Sequence, residues 1–237
     1  MHVKQIHPWN VSPREAMRIQ NRLKTQVIGR DEFDPKSIRT VAGVDIGFRR
    51  DVAEAAIVVL EFPSMEIIDY LVEEKEVSFP YIPGLLSFRE TPPLIAAFEK
   101  LKTEPDVIIV DGQGIAHPRR FGIASHLGLI LDKPTVGCAK SRLYGRHREP
   151  GKKAGSIEYL YDRDEIIGAA VRTRDNVKYV YVSIGHKVSL DTAIKLVLEC
   201  CRGYRLPEPT RQAHLIAGGA RPPKKGAPGG TDQLTLW

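Results

Sequence analysis

The feature that most constrains this chain is a carboxylate inside an apolar, extended segment, residues 40–48. In a strand, Val41, Gly43, Asp45 and Gly47 would share one face, and the other face would be wholly apolar. A buried, ionised carboxylate without a partner is costly, so Asp45 must be paired with a cation, protonated or bound to a metal. The segment therefore predicts a core strand that carries a functional or charge-paired group.

A second segment, residues 107–114 (VIIVDGQG), repeats this arrangement far downstream. A short apolar run that ends in Asp111 and Gly112 is typical of a buried parallel strand whose last residue emerges at its carboxyl end. If the two strands are neighbours, Asp45 and Asp111 form a like-charged pair. A divalent cation stabilises such a pair better than any side chain does.

Length and composition indicate one core: the chain has 237 residues, of which 42% are apolar. We predict a single domain over residues 1–217, followed by a basic, disordered tail at residues 218–237. No apolar run of about 18 residues occurs, and the amino terminus is polar, so we expect a cytoplasmic monomer without membrane association. The three cysteines lack the spacing of a zinc site and are expected to be reduced core thiols.

The charge distribution is uneven along the chain, whose net charge is +6. Residues 1–111 contain 14 lysines and arginines against 18 acidic residues, whereas the remainder contains 21 against 11. The excess suggests a polyanionic partner, most commonly nucleic acid, and the alternative is an ordinary solvated surface. The basic residues within 115–153 are Arg119, Arg120, Lys133, Lys140, Arg142, Arg146, Arg148, Lys152 and Lys153.

The order of predicted elements indicates the fold class. A capping box at Ser12 begins an amphipathic helix, and three extended segments joined by short links predict an antiparallel meander. Helices and strands then alternate, which predicts a three-layer α/β fold with a central mixed sheet. The further predictions are helices over 94–102, with Pro92 or Pro93 at its start, 119–131 and 189–202, a last helix opening at Pro209, and extended segments at 135–140, 165–173 and 178–184.

Residues 78–84 (SFPYIPG) are neither helix nor strand, because their prolines disrupt both. The segment predicts a stiff loop that displays the ring of Tyr81. The alternative is that this ring packs into the core.

Glu90, Lys140 and His214 complete the candidate chemistry. Together with the two aspartates, Glu90 would give hard oxygen ligands of the kind that suit Mg²⁺ or Mn²⁺ rather than zinc. Such a site can activate water and stabilise a leaving oxygen in phosphodiester cleavage. Each residue also has a simpler interpretation: Glu90 as a salt-bridge partner, Lys140 as a surface charge and His214 as a packed helical histidine.

Five motifs occur in order along the chain: 41–45 (VAGVD), 80–84 (PYIPG) with 88–90 (FRE), 111–114 (DGQG), 137–141 (GCAKS) and 210–214 (TRQAH). Together they resemble the endonuclease V family, which cleaves deoxyinosine-containing DNA. The resemblance extends from about residue 10 to about residue 217 and excludes the tail.

The resemblance implies a ribonuclease H-like fold and a DNA repair enzyme. The implied reaction is Mg²⁺-dependent hydrolysis, with Mn²⁺ as a possible substitute, of the second phosphodiester bond 3′ to a deaminated base, leaving 3′-hydroxyl and 5′-phosphate ends. Matched to the family motifs, Asp45 and Asp111 are metal ligands, and Glu90, Lys140 and His214 are further active-site residues. The loop residues Pro80, Tyr81, Ile82 and Pro83 match a strand-separating wedge, and Gly84 and Gly112 are candidates for lining the pocket of the extruded base.

Three alternatives remain open at the sequence level. The substrate could be inosine in RNA, since no motif excludes a 2′-hydroxyl. Residues 44–47 (VDIG) and 110–114 (VDGQG) also resemble the Asp-Gly phosphate loops of actin-like nucleotide phosphotransferases, although those enzymes need two large lobes. A catalytically silent inosine-binding module is the third alternative. ATP turnover measured against Mg²⁺-dependent nicking would separate these classes.

Overall fold

A computed structural model of the protein describes residues 1–220. The helices are α1 (Pro13–Leu23), α2 (Leu86–Lys100), α3 (Ile123–Leu131), α4 (Leu190–Glu199) and α5 (Glu208–Ala217). The strands are β1 (Thr40–Arg49), β2 (Val52–Glu61), β3 (Ile67–Glu76), β4 (Val107–Val110), β5 (Thr135–Ala139), β6 (Ile157–Asp162), β7 (Glu165–Val171) and β8 (Val180–His186).

All eight strands form one mixed sheet in the order β3-β2-β1-β4-β5-β8-β7-β6. Strands β1, β2 and β3 are the predicted antiparallel meander. Strands β4 and β5 continue the sheet in parallel with β1, and β8, β7 and β6 complete it with antiparallel pairing. The predicted central mixed sheet is thus confirmed.

Two hydrophobic cores separate the sheet from helices on its opposite faces. Val41 of β1 packs in the core that contains residues of α4 and α5. Its neighbours Ala42 and Val44 point the other way, into the core shared with α2 and α3. This alternation confirms the three-layer arrangement and the two faces predicted for β1.

The small residues on one face of β1 allow α5 to approach the strand closely. A Cβ atom added to Gly43 would lie 2.0 Å from the carbonyl carbon and oxygen of Pro209. A Cβ atom at Gly47 would lie 2.4 Å from the carbonyl oxygen of Ala217. Since larger side chains would push α5 away, these glycines determine how near the helix comes to Asp45.

Two predicted helix boundaries were wrong. Helix α2 begins at Leu86 and runs through Pro92 and Pro93, which the sequence analysis placed at its start. Apolar residues before and after these prolines are buried together, and this packing compensates for the lost backbone hydrogen bonds. Helix α3 begins at Ile123 rather than at residue 119, because Arg120 adopts a left-handed φ of 54° that is incompatible with a right-handed helix.

Strand β6 was not predicted, because it follows the basic loop and charged residues interrupt its apolar positions. It pairs with β7 at one edge of the sheet.

The three cysteines are free, with Cys138 and Cys200 buried, as expected for core thiols. The predicted tail lies outside the described residues from residue 221 onward. Within residues 1–220, no helix has the length and apolar character needed to cross a membrane.

Candidate active site

Asp45 and Asp111 lie beside each other where β1 and β4 run in parallel. Val44 is the register partner of Val110, so the residues that follow these two valines lie side by side, towards the carboxyl ends of the two strands. The backbone N–H of Asp111 also donates to the carbonyl oxygen of Val44, at 3.3 Å. The predicted like-charged pair is therefore present.

Two cationic or ionisable side chains reach this pair from separate elements. Lys140, directly after β5, forms a salt bridge with Asp111. His214 of α5 places its Nδ1 atom 2.6 Å from Oδ2 of Asp45 and 3.2 Å from Nζ of Lys140. Because one nitrogen cannot both donate to Asp45 and accept from Lys140, the shorter contact indicates that Nδ1–H donates to Asp45.

These residues have the spacing of a cation site. One ligand atom from each of Asp45, Asp111 and His214 lies within 4.8 Å of the others. Burial and the neighbouring Asp45 carboxylate raise the pKa of Asp111, and Lys140 opposes that rise. A set dominated by carboxylate oxygens matches the preferences of Mg²⁺ and Mn²⁺.

Glu90 of α2 faces the same two aspartates. It lines, with Asp45 and Asp111, a cavity of about 130 Å³. Burial is the main reason that the pKa of Glu90 rises to about 7, and the carboxylates of Asp45 and Asp111 raise it further. Glu90 is thus part of a crowded acidic centre rather than one half of a surface salt bridge.

The loop at residues 78–84 is held at its carboxyl end by the carbonyl oxygen of Gly84. This oxygen accepts hydrogen bonds from Gln20 Nε2 at 3.0 Å, His117 Nε2 at 3.0 Å and Arg119 Nη2 at 2.6 Å. The backbone N–H of Arg119 donates to Nδ1 of His117, which fixes the proton of the neutral ring on Nε2. Gly84 has a φ of +80°, which glycine adopts without strain.

The amino end of the loop is held by Arg89. Its Nη1 atom donates to the carbonyl oxygen of Phe79 at 2.7 Å, and its guanidinium lies 4.7 Å from the ring centroid of Phe48. Between the two anchored ends, the Tyr81 side chain is 70% exposed. The prediction of a stiff loop that displays this ring is confirmed, and the alternative of a core-packed ring is wrong.

A cavity of about 370 Å³ lies between this loop and the acidic centre. Gly84 and Gly112 both line it, as do Tyr81 and Pro83. Sequence reasoning did not identify two further lining residues, Gln113 and Ser87, although the position of Gln113 between two glycines was a usable signal. Both are buried, and within residues 1–220 the Oε1 atom of Gln113 and the Oγ atom of Ser87 have no hydrogen-bond partner.

Two residues of the predicted phosphate-binding stretch have internal partners instead. Arg119 donates to Gly84 and also to Gln20. Arg120 forms salt bridges with Asp162 and Glu165. Both arginines thus support the fold, Arg119 at the loop and Arg120 at the edge of the sheet, and their contact with a phosphate backbone stays a prediction.

Comparison with known proteins decides the family. A sequence model described as Endonuclease V matches residues 21–215. This chain belongs to the endonuclease V family. A family relative from Roseiflexus sp. (strain RS-1) is 52% identical over 217 residues, covering 92% of this chain and 97% of that protein. Another, from Trichormus variabilis, is 53% identical over 219 residues, covering 92% and 99%.

Solved structures of the endonuclease V family agree with this assignment. The Bacillus subtilis protein superimposes with a TM-score of 0.88 at 32% identity, covering 92% of this chain and 96% of that chain. Ciona intestinalis endonuclease V, solved with a 23mer DNA that contains an inosine followed by a ribo-adenosine, gives a TM-score of 0.77 at 28% identity and coverage of 88% and 98%. The fold is ribonuclease H-like, as the resemblance implied, and the protein is an endonuclease.

Proposed function

We propose that this endonuclease nicks DNA at the second phosphodiester bond 3′ to deoxyinosine, leaving 3′-hydroxyl and 5′-phosphate ends. One observation carries the proposal: Glu90 and Asp111 line both the small acidic cavity and the larger cavity beside the Tyr81 loop. A base held in the larger cavity would keep the DNA strand that carries it next to the acidic centre. The inosine-containing DNA bound to the Ciona relative supports the same substrate class. We assign the activity to residues 1–217.

Asp45 and Asp111 would hold a divalent cation, Mg²⁺ or in its place Mn²⁺. When bound, the cation would supply Lewis-acid activation of a phosphoryl oxygen and stabilise the charge of the transition state. Glu90 fits this role because burial and, after it, the carboxylates of Asp45 and Asp111 raise its pKa, and a cation would offset the negative charge of those neighbours. The cation would thereby favour the ionised form of Glu90.

Lys140 and His214 would contact the phosphates of the bound DNA strand, or water beside them, from the other side of the aspartates. Lys140 carries a positive charge at the end of β5, where it can donate to a phosphate oxygen as well as to Asp111. The His214 side chain is 54% exposed, so its free ring nitrogen can orient a water molecule or a phosphate oxygen. Its hydrogen bond to Asp45 fixes the ring orientation.

Recognition of the base would rest on the anchored loop and the larger cavity. Pro80, Tyr81, Ile82 and Pro83 would form the wedge that holds the gap open when the base leaves the stack. Gly84 and Gly112 would line the pocket. A Cβ atom at Gly112 would lie 2.4 Å from Cγ2 of Ile123, so a larger residue would displace this part of the wall.

Gln113 is our candidate for reading the base. Its Nε2 atom donates to the carbonyl oxygen of Ser141, at 2.9 Å, which leaves Oε1 as a buried acceptor beside the cavity. Hypoxanthine carries an N1–H donor where adenine has an acceptor. An unpaired acceptor would therefore favour the deaminated base, because adenine would leave it without a partner at that position.

Asparagine substitution tests the metal-site assignment. Asp45→Asn or Asp111→Asn should abolish nicking in saturating Mg²⁺ and leave binding of inosine DNA largely intact, because each variant removes a ligand charge but little volume. His214→Ala should cost less than either. Asp51→Asn, at an exposed turn position, is the matched control. Near wild-type cleavage by either aspartate variant would contradict the assignment.

The same assay resolves the choice of nucleic acid. Matched DNA and RNA oligonucleotides with one inosine should be nicked at different rates, with DNA preferred. Faster cleavage of the RNA would overturn DNA as the main substrate. ATP turnover that does not depend on nucleic acid would instead favour a nucleotide phosphotransferase.

A further inference from the structure

A second groove, of about 480 Å³, lies beyond the candidate active site and takes no part in the chemistry proposed above. The loop after β5 forms one side of it, and the edge strand β6 forms the other. Positive charge and aromatic rings dominate its lining. The lining residues are Arg146, His147, Arg148, Glu158, Tyr159, Tyr161 and Arg163.

The aromatic rings of the groove come from alternate positions of β6. Tyr159 and Tyr161 are 39% and 37% exposed, whereas Leu160 between them is buried. Successive side chains of a strand point to opposite faces, so the two tyrosines share the outer face of the sheet edge. Two exposed rings spaced along a strand offer flat apolar surfaces to a ligand.

Positive charge exceeds negative charge in the groove. Within residues 1–220, the side chains of Arg146, Arg148 and Arg163 form no salt bridge and no hydrogen bond, and all three residues are exposed. Glu158 is the only acidic residue in the described part of the chain that lines the groove. Arg120 nearby, by contrast, is neutralised by two carboxylates. Free charge on an ordered surface attracts a polyanion.

The groove is also held in shape by the backbone. Arg146 and Tyr161 exchange two backbone hydrogen bonds of 2.8 Å, which joins the loop to β6. The ring of His147 contacts the hydroxyl of Tyr181 at 3.2 Å. Gly145, with a φ of +85°, permits the close approach, since a Cβ atom there would lie 2.9 Å from Cδ1 of Ile167. A ligand would therefore meet a largely preformed surface.

One continuous loop connects the groove with the candidate active site. Lys140, Ser141 and Leu143 line the larger cavity, and Arg146 follows only three residues after Leu143. The six residue-to-residue steps from Lys140 to Arg146 span at most about 22 Å when the chain is extended. That distance corresponds to roughly six steps of 3.4 Å along one nucleic-acid strand. A strand whose inosine occupies the cavity can thus reach the groove within a few nucleotides.

We propose that this groove binds an unpaired segment of the substrate strand a few nucleotides from the inosine, with bases stacked on Tyr159 and Tyr161 and phosphates paired with the three arginines. A basic groove with exposed aromatic rings is the usual arrangement for single-stranded nucleic acid, whereas a duplex backbone needs only the charges. The inference rests on the proposed function and extends it, because it assigns a binding site outside the catalytic centre.

The first test compares oligonucleotide lengths. Affinity for single-stranded inosine DNA is measured by fluorescence anisotropy without divalent cation. The short strand has roughly six nucleotides with the inosine at its centre, so that each arm extends only about three steps of 3.4 Å and is too short to span the groove, and the long strand is about four times longer. Tyr159→Ala/Tyr161→Ala should weaken binding of the long strand by about 30-fold or more, the value for two stacked bases at about 1 kcal/mol or more each, and change binding of the short strand less than about twofold. Tyr159→Phe/Tyr161→Phe should bind like the wild type, since stacking needs no hydroxyl.

The second test separates charge from stacking. Arg146→Gln/Arg148→Gln/Arg163→Gln should reduce the slope of log K against log salt for the long strand by about 0.7 for each phosphate that is no longer neutralised, or roughly 2 in all, whereas the tyrosine double variant should leave it unchanged. Arg39→Gln is the control, because this exposed residue directly precedes the amino end of β1. The aspartates lie towards the other end of the parallel strands.

The outcomes are distinguishable. Equal effects of the tyrosine variant on short and long strands would overturn the proposal, as would a loss confined to the arginine variant, which would indicate phosphate contact without base stacking. All groove variants should still nick the short inosine strand at the wild-type rate. If the wild type itself nicks no inosine substrate, the proposed function fails, whereas normal nicking with length-independent binding refutes only the groove.

Discussion

Gly43→Ala tests whether the packing of α5 on β1 positions the active-site histidine. The added Cβ atom would lie 2.0 Å from the carbonyl carbon and oxygen of Pro209, both backbone atoms at the start of α5. Ordinary van der Waals contact begins near 3.4 Å, so the helix would have to move by roughly 1.4 Å. His214 lies on the same helix, 2.6 Å from Asp45.

The expected losses follow from that displacement. Overpacking of a well-packed core costs about 1–3 kcal/mol of unfolding free energy, which corresponds to a fall in Tm of roughly 2–12 °C for a chain of this size. A misplacement of about 1 Å at a catalytic group can lower the rate by about 100-fold. We therefore expect nicking to fall far more than stability alone would explain.

Nicking of inosine DNA would be measured at a temperature well below the unfolding transitions of the variant and the wild type. Thermal unfolding would be measured on the same samples. Gly29→Ala is the matched control, because its Cβ atom would lie 3.5 Å from Cδ1 of Ile184, an ordinary contact. Adding His214→Ala to Gly43→Ala should lower the rate little further, since both changes act through the same side chain. A Gly43→Ala variant with a lowered Tm and a wild-type rate would refute this reasoning.

Two further predictions concern the Tyr81 loop. Because the Tyr81 ring is 70% exposed, Tyr81→Ala should change the unfolding free energy by no more than about 0.5 kcal/mol. Its affinity and nicking should fall by about 5- to 150-fold on duplex inosine DNA and much less on single-stranded inosine DNA, where no partner strand is displaced; equal losses on both substrates would contradict a wedge. Burial lowers the pKa of His117 to about 4, below the value of about 6.5 in the unfolded chain. The unfolded state therefore binds a proton first, and the contribution of His117 to stability is complete above pH 6.5 and is lost, by about 3 kcal/mol, as the pH falls towards 4. His117→Gln should flatten this part of the curve of urea midpoint against pH, and parallel curves for variant and wild type would count against it.

Elements that depend on local chemistry were predictable from the sequence. Alternation of small and apolar residues predicted β1, and the apolar run before Asp111 predicted β4 as a buried parallel strand. The capping box predicted α1, where Ser12 accepts from the backbone N–H of Glu15. The prolines around Tyr81 predicted a stiff, exposed loop. These features depend on residues a few positions apart, so their signals are present in any short window of the chain.

Features that depend on partners far apart in the chain were not predictable from the sequence. Arg119 and Arg120 looked free in a basic stretch, but Gly84 and Glu165 engage them from 35 and 45 residues away. Helix α2 continues through Pro92 and Pro93 because packing on the sheet outweighs a local preference to break. The sequence indicated which side chains could do chemistry, whereas the sheet order and the close approach of α5 brought Asp45, Asp111, Lys140 and His214 together, because contacts between distant segments form only in the folded core.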